Sequence, residues 1–236
     1  MSQGVDVAQL SDRVAEVRYQ MGEAAAQAGR DPNDIQLCGV CKGQDAKMIQ
    51  ASALLAIDLF GENRMQELQT HLEANAFHGK PCHFIGHLQT NKVRRVVGSV
   101  DVIQSVNSQR LLQAIHQEAA RQGMVQDILF EINIGEEATK MGASREMLWP
   151  LMDAAAGLSH VRVRGLMAIP PSFDNSPESR KHFANMRLLL EQARTRYAGQ
   201  LSLDILSLGM TDSYQAAILE GATLVRVGRA IYGERI

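Results

Sequence analysis

The sequence predicts an α/β fold, a single (β/α)8 TIM barrel preceded by one extra helix. Apolar runs of strand length alternate with amphipathic stretches from residue 36 onward, the mark of parallel strands joined by helical crossovers. Eight such runs can be counted, which favours closure into a barrel over an open sheet. The 236 residues are also close to the roughly 250 that one barrel uses. One domain, 1–236, is therefore expected, with an N-terminal covering helix in 1–30 and the barrel in 36–233.

In residues 5–28, Val7, Leu10, Val14, Val17 and Met21 recur at helical spacing, and Gly29 before Arg30-Asp31-Pro32 marks the stop. This helix should cover the bottom or side of the barrel. Residues 36–42, Gln-Leu-Cys-Gly-Val-Cys-Lys, read as the first strand and 46–59 as its helix. Strand 59–63 and a polar helix at 65–76 follow, then a strand at 82–87 introduced by Pro81 and a helix at 91–97. Strand 100–106 is paired with helix 109–122, where Leu111, Leu112, Ile115 and Ala119 share one side. Strand 127–134 is nearly all apolar and precedes helix 145–156, and strand 161–169 is stopped by Pro170-Pro171 before helix 178–197. Strands 203–209 and 223–227 flank a helix at 214–219. No low-complexity linker divides the chain, and the Pro-, Ser- and Asp-rich loop 170–177 reads as its most mobile segment.

A net charge of −2 supplies no field to draw nucleic acid or an anionic membrane, so any charged ligand must be held locally. There is no apolar run near 18 residues and no basic-then-apolar start. A soluble, cytoplasmic and monomeric protein is expected. Cys38 and Cys41 spell C-x-x-C, but they lie inside a strand, where residues three apart project from opposite faces. They read as small apolar fillers, neither a redox pair nor metal ligands.

Barrels work at the C-terminal mouth of their strands. The residues there include Lys42, Asn63, His83, Met167, Ser207, Gly209, Arg226, Gly228 and Arg229. Lys42 shares a strand face with Val40 and Cys38; it either leaves for solvent or serves a ligand. Gly209 and Gly228 end the last two strands, where barrels often cradle phosphate on backbone N–H groups, with Ser207 and Arg229 beside them. An amine opposite a phosphate cup suits a phosphorylated aldehyde, pyridoxal 5′-phosphate above all. A cofactor-free Schiff-base aldolase remains open, with Glu62 or Glu131 moving the proton.

Val40-Cys-Lys42, Phe60-Gly-Glu-Asn63, His83-Phe-Ile-Gly86 with Leu88-Gln-Thr-Asn-Lys92, Arg164-Gly-Leu-Met-Ala-Ile-Pro170, Leu206-Ser-Leu-Gly-Met210 and Val225-Arg-Val-Gly-Arg-Ala-Ile-Tyr-Gly233 stand in the order of one family. On these motifs the chain resembles the YggS/PROSC family of pyridoxal-phosphate-binding homeostasis proteins. The resemblance implies a barrel of the alanine-racemase type, acting in vitamin B6 homeostasis, with Lys42 carrying the cofactor as an internal aldimine. It also implies that Ser207 bonds the phosphate with the N–H groups of Gly228 and Arg229, and that Arg226 faces the pyridine nitrogen. Asn63, His83 and Met167 would line the ring, and partners would be PLP-dependent apo-enzymes in transient contact.

The chain departs from the family's Ser-Lys-Thr-x-Pro at Cys41-Lys-Gly-Gln-Asp45, where a more flexible strand exit is expected, and it has Ser213 where an acid is usual. The chain ends at Ile236, after the eighth unit, so the β-domain that gives alanine racemases their second base is not expected. Tyr214 and Tyr232 come near the mouth in sequence, with Tyr232 expected to pack against the last helices. A carrier without efficient racemase activity is the reading, with a racemase-like PLP enzyme as the alternative.

Overall fold

A computed structural model describes residues 5–137, 141–170 and 176–233. Residues 171–175, in the loop expected to be most mobile, lie outside the described residues. Eight parallel strands close into a barrel in sequence order. They are β1 (Gln36–Val40), β2 (Leu59–Glu62), β3 (Cys82–Phe84), β4 (Val102–Val106), β5 (Gln126–Ile132), β6 (Val161–Ala168), β7 (Ile205–Ser207) and β8 (Leu224–Val227). The ring closes through β1 and β8, with Cys38 opposite Arg226 and Gly39 opposite Val227.

Outside run α1 (Val7–Gln27), α2 (Ala46–Ala53), α3 (Met65–Glu73), α4 (Gln109–Arg121), α5 (Arg145–Ala156), α6 (Pro177–Arg196), α7 (Tyr214–Leu219) and α8 (Arg229–Tyr232). Asp or Ser caps start several of them: Asp6, Asp45, Ser108, Ser144 and Ser176 each accept the N–H three residues on. Helix α1 lies on the side of the barrel, against α2, α7 and α8, and buries Leu10, Val14, Val17 and Met21 there. Each of those side chains is worth roughly 1.5–3 kcal/mol when fully buried. Arg18 locks this helix to the barrel through the Ala56 carbonyl at 2.7 Å and Asp58 at 2.7 Å, while Asp58 accepts the Leu37 N–H at 2.6 Å.

The expected helix at 91–97 is a 3-10 helix, Thr90–Arg95. It is short and has no side-chain cap, and its bonds run from Lys92 N to Gln89 O and from Val96 N to Val93 O. Strand β3 stops at Phe84 instead of continuing to residue 87. Ile85 still donates to the Glu62 carbonyl at 2.8 Å, and Gly86 then passes directly over Asn63.

The barrel interior is filled in layers. Cys38, Leu59 and Leu224 form one apolar group, and Val102, Leu129 and Met167 another. At the N-terminal end Asp127 accepts from Arg162 at 2.7 and 2.8 Å and from Arg164 at 2.8 Å, and Arg164 also pairs with Asp204.

A side-chain carbon on Gly86 would lie 2.0 Å from the Asn63 carbonyl oxygen, whereas one on Gly22 in α1 would meet nothing within 4 Å. Gly86→Ala should therefore lower the unfolding free energy by about 1–3 kcal/mol in urea denaturation. Gly22→Ala should raise it by roughly 0.5–1 kcal/mol. Equal effects of the two would contradict the close approach at Asn63.

Candidate functional site

At the C-terminal mouth a cavity of about 430 Å³ is lined on one side by Val40, Lys42 and Asn63 and on the other by Thr211, Gly228 and Arg229. That volume is within the usual range for small-ligand sites, roughly 300–1,000 Å³. Lys42 is carried by a tight turn in which the Gln44 N–H donates to the Cys41 carbonyl at 2.9 Å. Gly43, the third residue of that turn, has φ +74°, the left-handed value that a type II turn requires there. The departures at Gly43 and Asp45 thus have local reasons: Gly43 makes the turn, and Asp45 caps α2 by accepting the Met48 N–H at 2.8 Å. The exit from β1 is held by hydrogen bonds where a looser one was expected. The Lys42 amine makes no hydrogen bond or ion pair among the described residues.

Beneath the cavity a chain of buried polar groups crosses the barrel. Gln104 Nε2 donates to His83 Nδ1 at 2.8 Å, and Gln104 Oε1 accepts from the Ser207 hydroxyl at 2.7 Å. Ser207 Oγ in turn accepts from Arg226 Nη1 at 2.5 Å, and Arg226 Nη2 donates to the Ala168 carbonyl at 3.0 Å. Burial lowers the His83 pKa to about 4, so the ring is neutral and its proton sits on Nε2. Burial also lowers Arg226 to about 10, with the nearby Cys38 and Glu131 opposing; the guanidinium keeps its charge at neutral pH. Glu131 is buried beside it, and desolvation pushes its carboxyl up to about 7 against the pull of Arg226.

On the far side, Arg229 Nη2 pairs with Asp212, and the Ala230 N–H donates to Thr211 Oγ1 at 3.4 Å. A carbon added at Gly228 would meet only Val40, at 3.5 Å or beyond. Packing within the chain does not require a glycine at this point of the cavity wall.

Five of the nine residues expected at the site line the cavity: Lys42, Asn63, Arg226, Gly228 and Arg229. Ser207, His83, Met167 and Gly209 do not. Ser207 is fully buried, and its hydroxyl both donates to Gln104 and accepts from Arg226; Thr211 is the hydroxyl-bearing residue that lines the cavity. Gly209 turns the chain at φ +81°, against Tyr214 and Ala217. Met167 fills the apolar layer with Val102 and Leu129. Sequence reasoning passed over Gln104, although a glutamine in the run Val-Ile-Gln-Ser-Val was a visible signal.

Cys38 lies inside the barrel and Cys41 in the layer outside it, and burial raises both thiols, Cys38 to about 12. The Tyr232 hydroxyl is 3.2 Å from Ser52 Oγ and would touch a side chain placed on Gly39, so it faces the outer layer. Ser213 accepts the Met210 N–H at 3.2 Å, a structural bond within the turn. Among the described residues no group of His, Cys, Asp or Glu could hold a metal ion, and no helix is long and apolar enough to cross a membrane.

Residues 14–236 match the family described as alanine racemase, N-terminal domain. The chain is 37% identical over 224 residues to the pyridoxal phosphate homeostasis protein of Aquifex aeolicus, covering 95% of this chain and 97% of that one. The chain belongs to the YggS/PROSC family. The Escherichia coli protein of the same description is 34% identical, with 96% of this chain and 97% of that one covered. PipY of Synechococcus elongatus, solved with PLP bound, is 29% identical with a TM-score of 0.81, and the match covers 95% of this chain and all of that one, 100%. The alanine racemase of Streptomyces coelicolor shares the fold, with a TM-score of 0.77 at 17% identity; the match covers 97% of this chain and 59% of the racemase.

Gln104→Leu would leave His83 Nδ1 and the Ser207 hydroxyl without their partner, and about 1–3 kcal/mol of unfolding free energy should be lost for each unsatisfied buried group. For His83 the sign follows from its lowered pKa: between the unfolded value of 6.5 and about 4, the unfolded chain binds the extra proton. Stability contributed by the neutral ring is therefore present above pH 6.5 and lost as pH falls toward 4. His83→Gln should flatten the acid limb of a stability-versus-pH curve in this window; an unchanged limb would contradict a buried neutral ring.

Proposed function

We propose that the chain binds pyridoxal 5′-phosphate in the mouth cavity, with Lys42 as its covalent attachment point, and that it holds and releases this cofactor in intracellular vitamin B6 homeostasis. The observation that carries the reading is the opposition, across one cavity, of Lys42 and the group Thr211, Gly228 and Arg229, with Arg226 between them. The names of its relatives and PLP bound in PipY support it.

The residues fit the cofactor's three parts. When bound, the group supplies an electrophilic aldehyde carbon and an aromatic ring able to accept electrons. Lys42 Nζ, once unprotonated, is the nucleophile toward that carbon. The Arg229 guanidinium, the Thr211 hydroxyl and the N–H groups of Gly228 and Arg229 suit a phosphate, each charge-assisted bond being worth roughly 1.5–3 kcal/mol. Asn63, Ile85 and Ile169 line the remaining wall.

Arg226 decides between holding and turnover. A guanidinium that remains charged at neutral pH would donate to a ring nitrogen placed beside it and would not protonate it. Arg226 would thereby leave the ring a weak electron acceptor. Chemistry at an amino acid's α-carbon also needs an acid on the face opposite Lys42, and the Tyr232 hydroxyl faces Ser52 instead. A monomer that meets PLP-dependent apo-enzymes transiently belongs to the same reading, and three free, buried cysteines suit a reducing cytoplasm.

Titration of the purified protein with pyridoxal phosphate should produce a visible absorption band. Lys42→Ala should lose the band and keep weaker, noncovalent binding; loss of all binding with an unchanged circular dichroism spectrum would contradict the phosphate side. Arg229→Ala should weaken binding by about 10–150-fold. In deuterated water L-alanine should exchange its α-proton far below the ordinary enzyme range of about 1–10³ per second. Turnover within that range would replace a carrier by an enzyme.

A further inference from the structure

Helix α3 touches the turn of Lys42 at two points. Glu67 Oε2 accepts the Gly43 N–H at 3.1 Å, and His71 Nε2 lies 3.2 Å from the Gln44 carbonyl. The other nitrogen of the same ring, Nδ1, lies 2.5 Å from Glu62 Oε1 at the end of β2. Both His71 and Glu62 are buried, and Glu62 Oε2 finds no hydrogen-bond partner among the described residues. The imidazole thus stands between two acceptors, a carboxylate and a carbonyl.

We propose that His71 is a positioning residue for Lys42: it ties the turn that carries the amine to the buried Glu62 carboxyl, with Glu67 securing the same turn from the same helix. This rests on the reading of Lys42 as the attachment point. Two acceptors require a proton on each ring nitrogen, or one on Nε2 and one shared between Nδ1 and Glu62. Either way the pair carries one proton more than a neutral imidazole beside a carboxylate.

The groups that face the pair are few. Glu67 comes from α3, Cys41 from just after β1, Cys82 from β3 and Tyr232 from α8, with Cys38 farther along β1; the Phe77 ring packs edge-on at 6.1 Å. The three thiols are pushed up by burial and stay neutral. The bond to Glu62 raises His71 above the ordinary imidazole value, and burial raises Glu62. Because the folded pKa of His71 is raised, its contribution is complete below the unfolded value of 6.5 and is lost as pH rises through the folded one. When the pair gives up its proton, the remaining one stays on Nδ1 beside the Glu62 carboxylate. Nε2 then turns a lone pair to the Gln44 carbonyl, and that tie breaks.

Hydrogen exchange of the ligand-free protein, read by mass spectrometry on peptides spanning residues 41–45, tests this without the cofactor. His71→Leu should exchange there about ten-fold faster than wild type. After correction for intrinsic rates, wild-type protection should fall as pH rises through the pair's titration, and this dependence should vanish in the variant. Should His71→Leu fail to fold, His71→Gln retains an N–H for Gln44 without a titrating ring, and the pH dependence should vanish there too. Equal protection at 41–45 in folded His71→Leu and wild type, a pH dependence that persists in His71→Gln, or pH-independent wild-type protection would overturn the proposal. In a second arm the variant should need about ten-fold more pyridoxal phosphate to reach the visible band, with inorganic phosphate binding unchanged. Exchange as expected in a wild type that never forms the band would leave the brace standing and remove the cofactor reading.

Discussion

The site depends on the parallel pairing of β1 with β8. Cys38 stands opposite Arg226 and Gly39 opposite Val227, so the turn after Val40 emerges beside Gly228 and Arg229. An amine from the first βα unit and an anion-suited group from the last meet only because the sheet closes on itself. α1 supports that seam from outside, packing on α2 with one end of the closure and on α7 and α8 with the other.

Below the mouth the barrel replaces apolar filling with a polar chain from His83 through Gln104 and Ser207 to Arg226. Such a chain is favourable only when each member is satisfied, because buried polar groups are expensive to leave unpaired. Its effect is to fix Arg226, whose guanidinium spends two bonds on Ser207 and the Ala168 carbonyl and still lines the cavity. The charge that would meet a ligand's ring is therefore held in place by residues from β3, β4, β6 and β7.

Much of this was legible in the sequence. Alternating apolar runs give the eight strands, and a lysine and an arginine-glycine pair at strand ends point to the mouth. The period-two pattern also separates Cys38 from Cys41 correctly. Ser207 and Thr211 show where it runs out: β7 ends at Ser207, and the positive φ of Gly209 redirects the chain, so spacing no longer tells which hydroxyl reaches the cavity. The pairing of His71 with Glu62 was illegible for another reason. They are nine residues apart on different elements and meet only when α3 packs back on β2. Gln104 was overlooked, not hidden.

Borohydride reduction of the protein incubated with pyridoxal phosphate, followed by peptide mass spectrometry, locates the attachment residue directly. A pyridoxyl group on Lys42 is the expected result. The same group on a different lysine, or none at all, would contradict a site built around that amine.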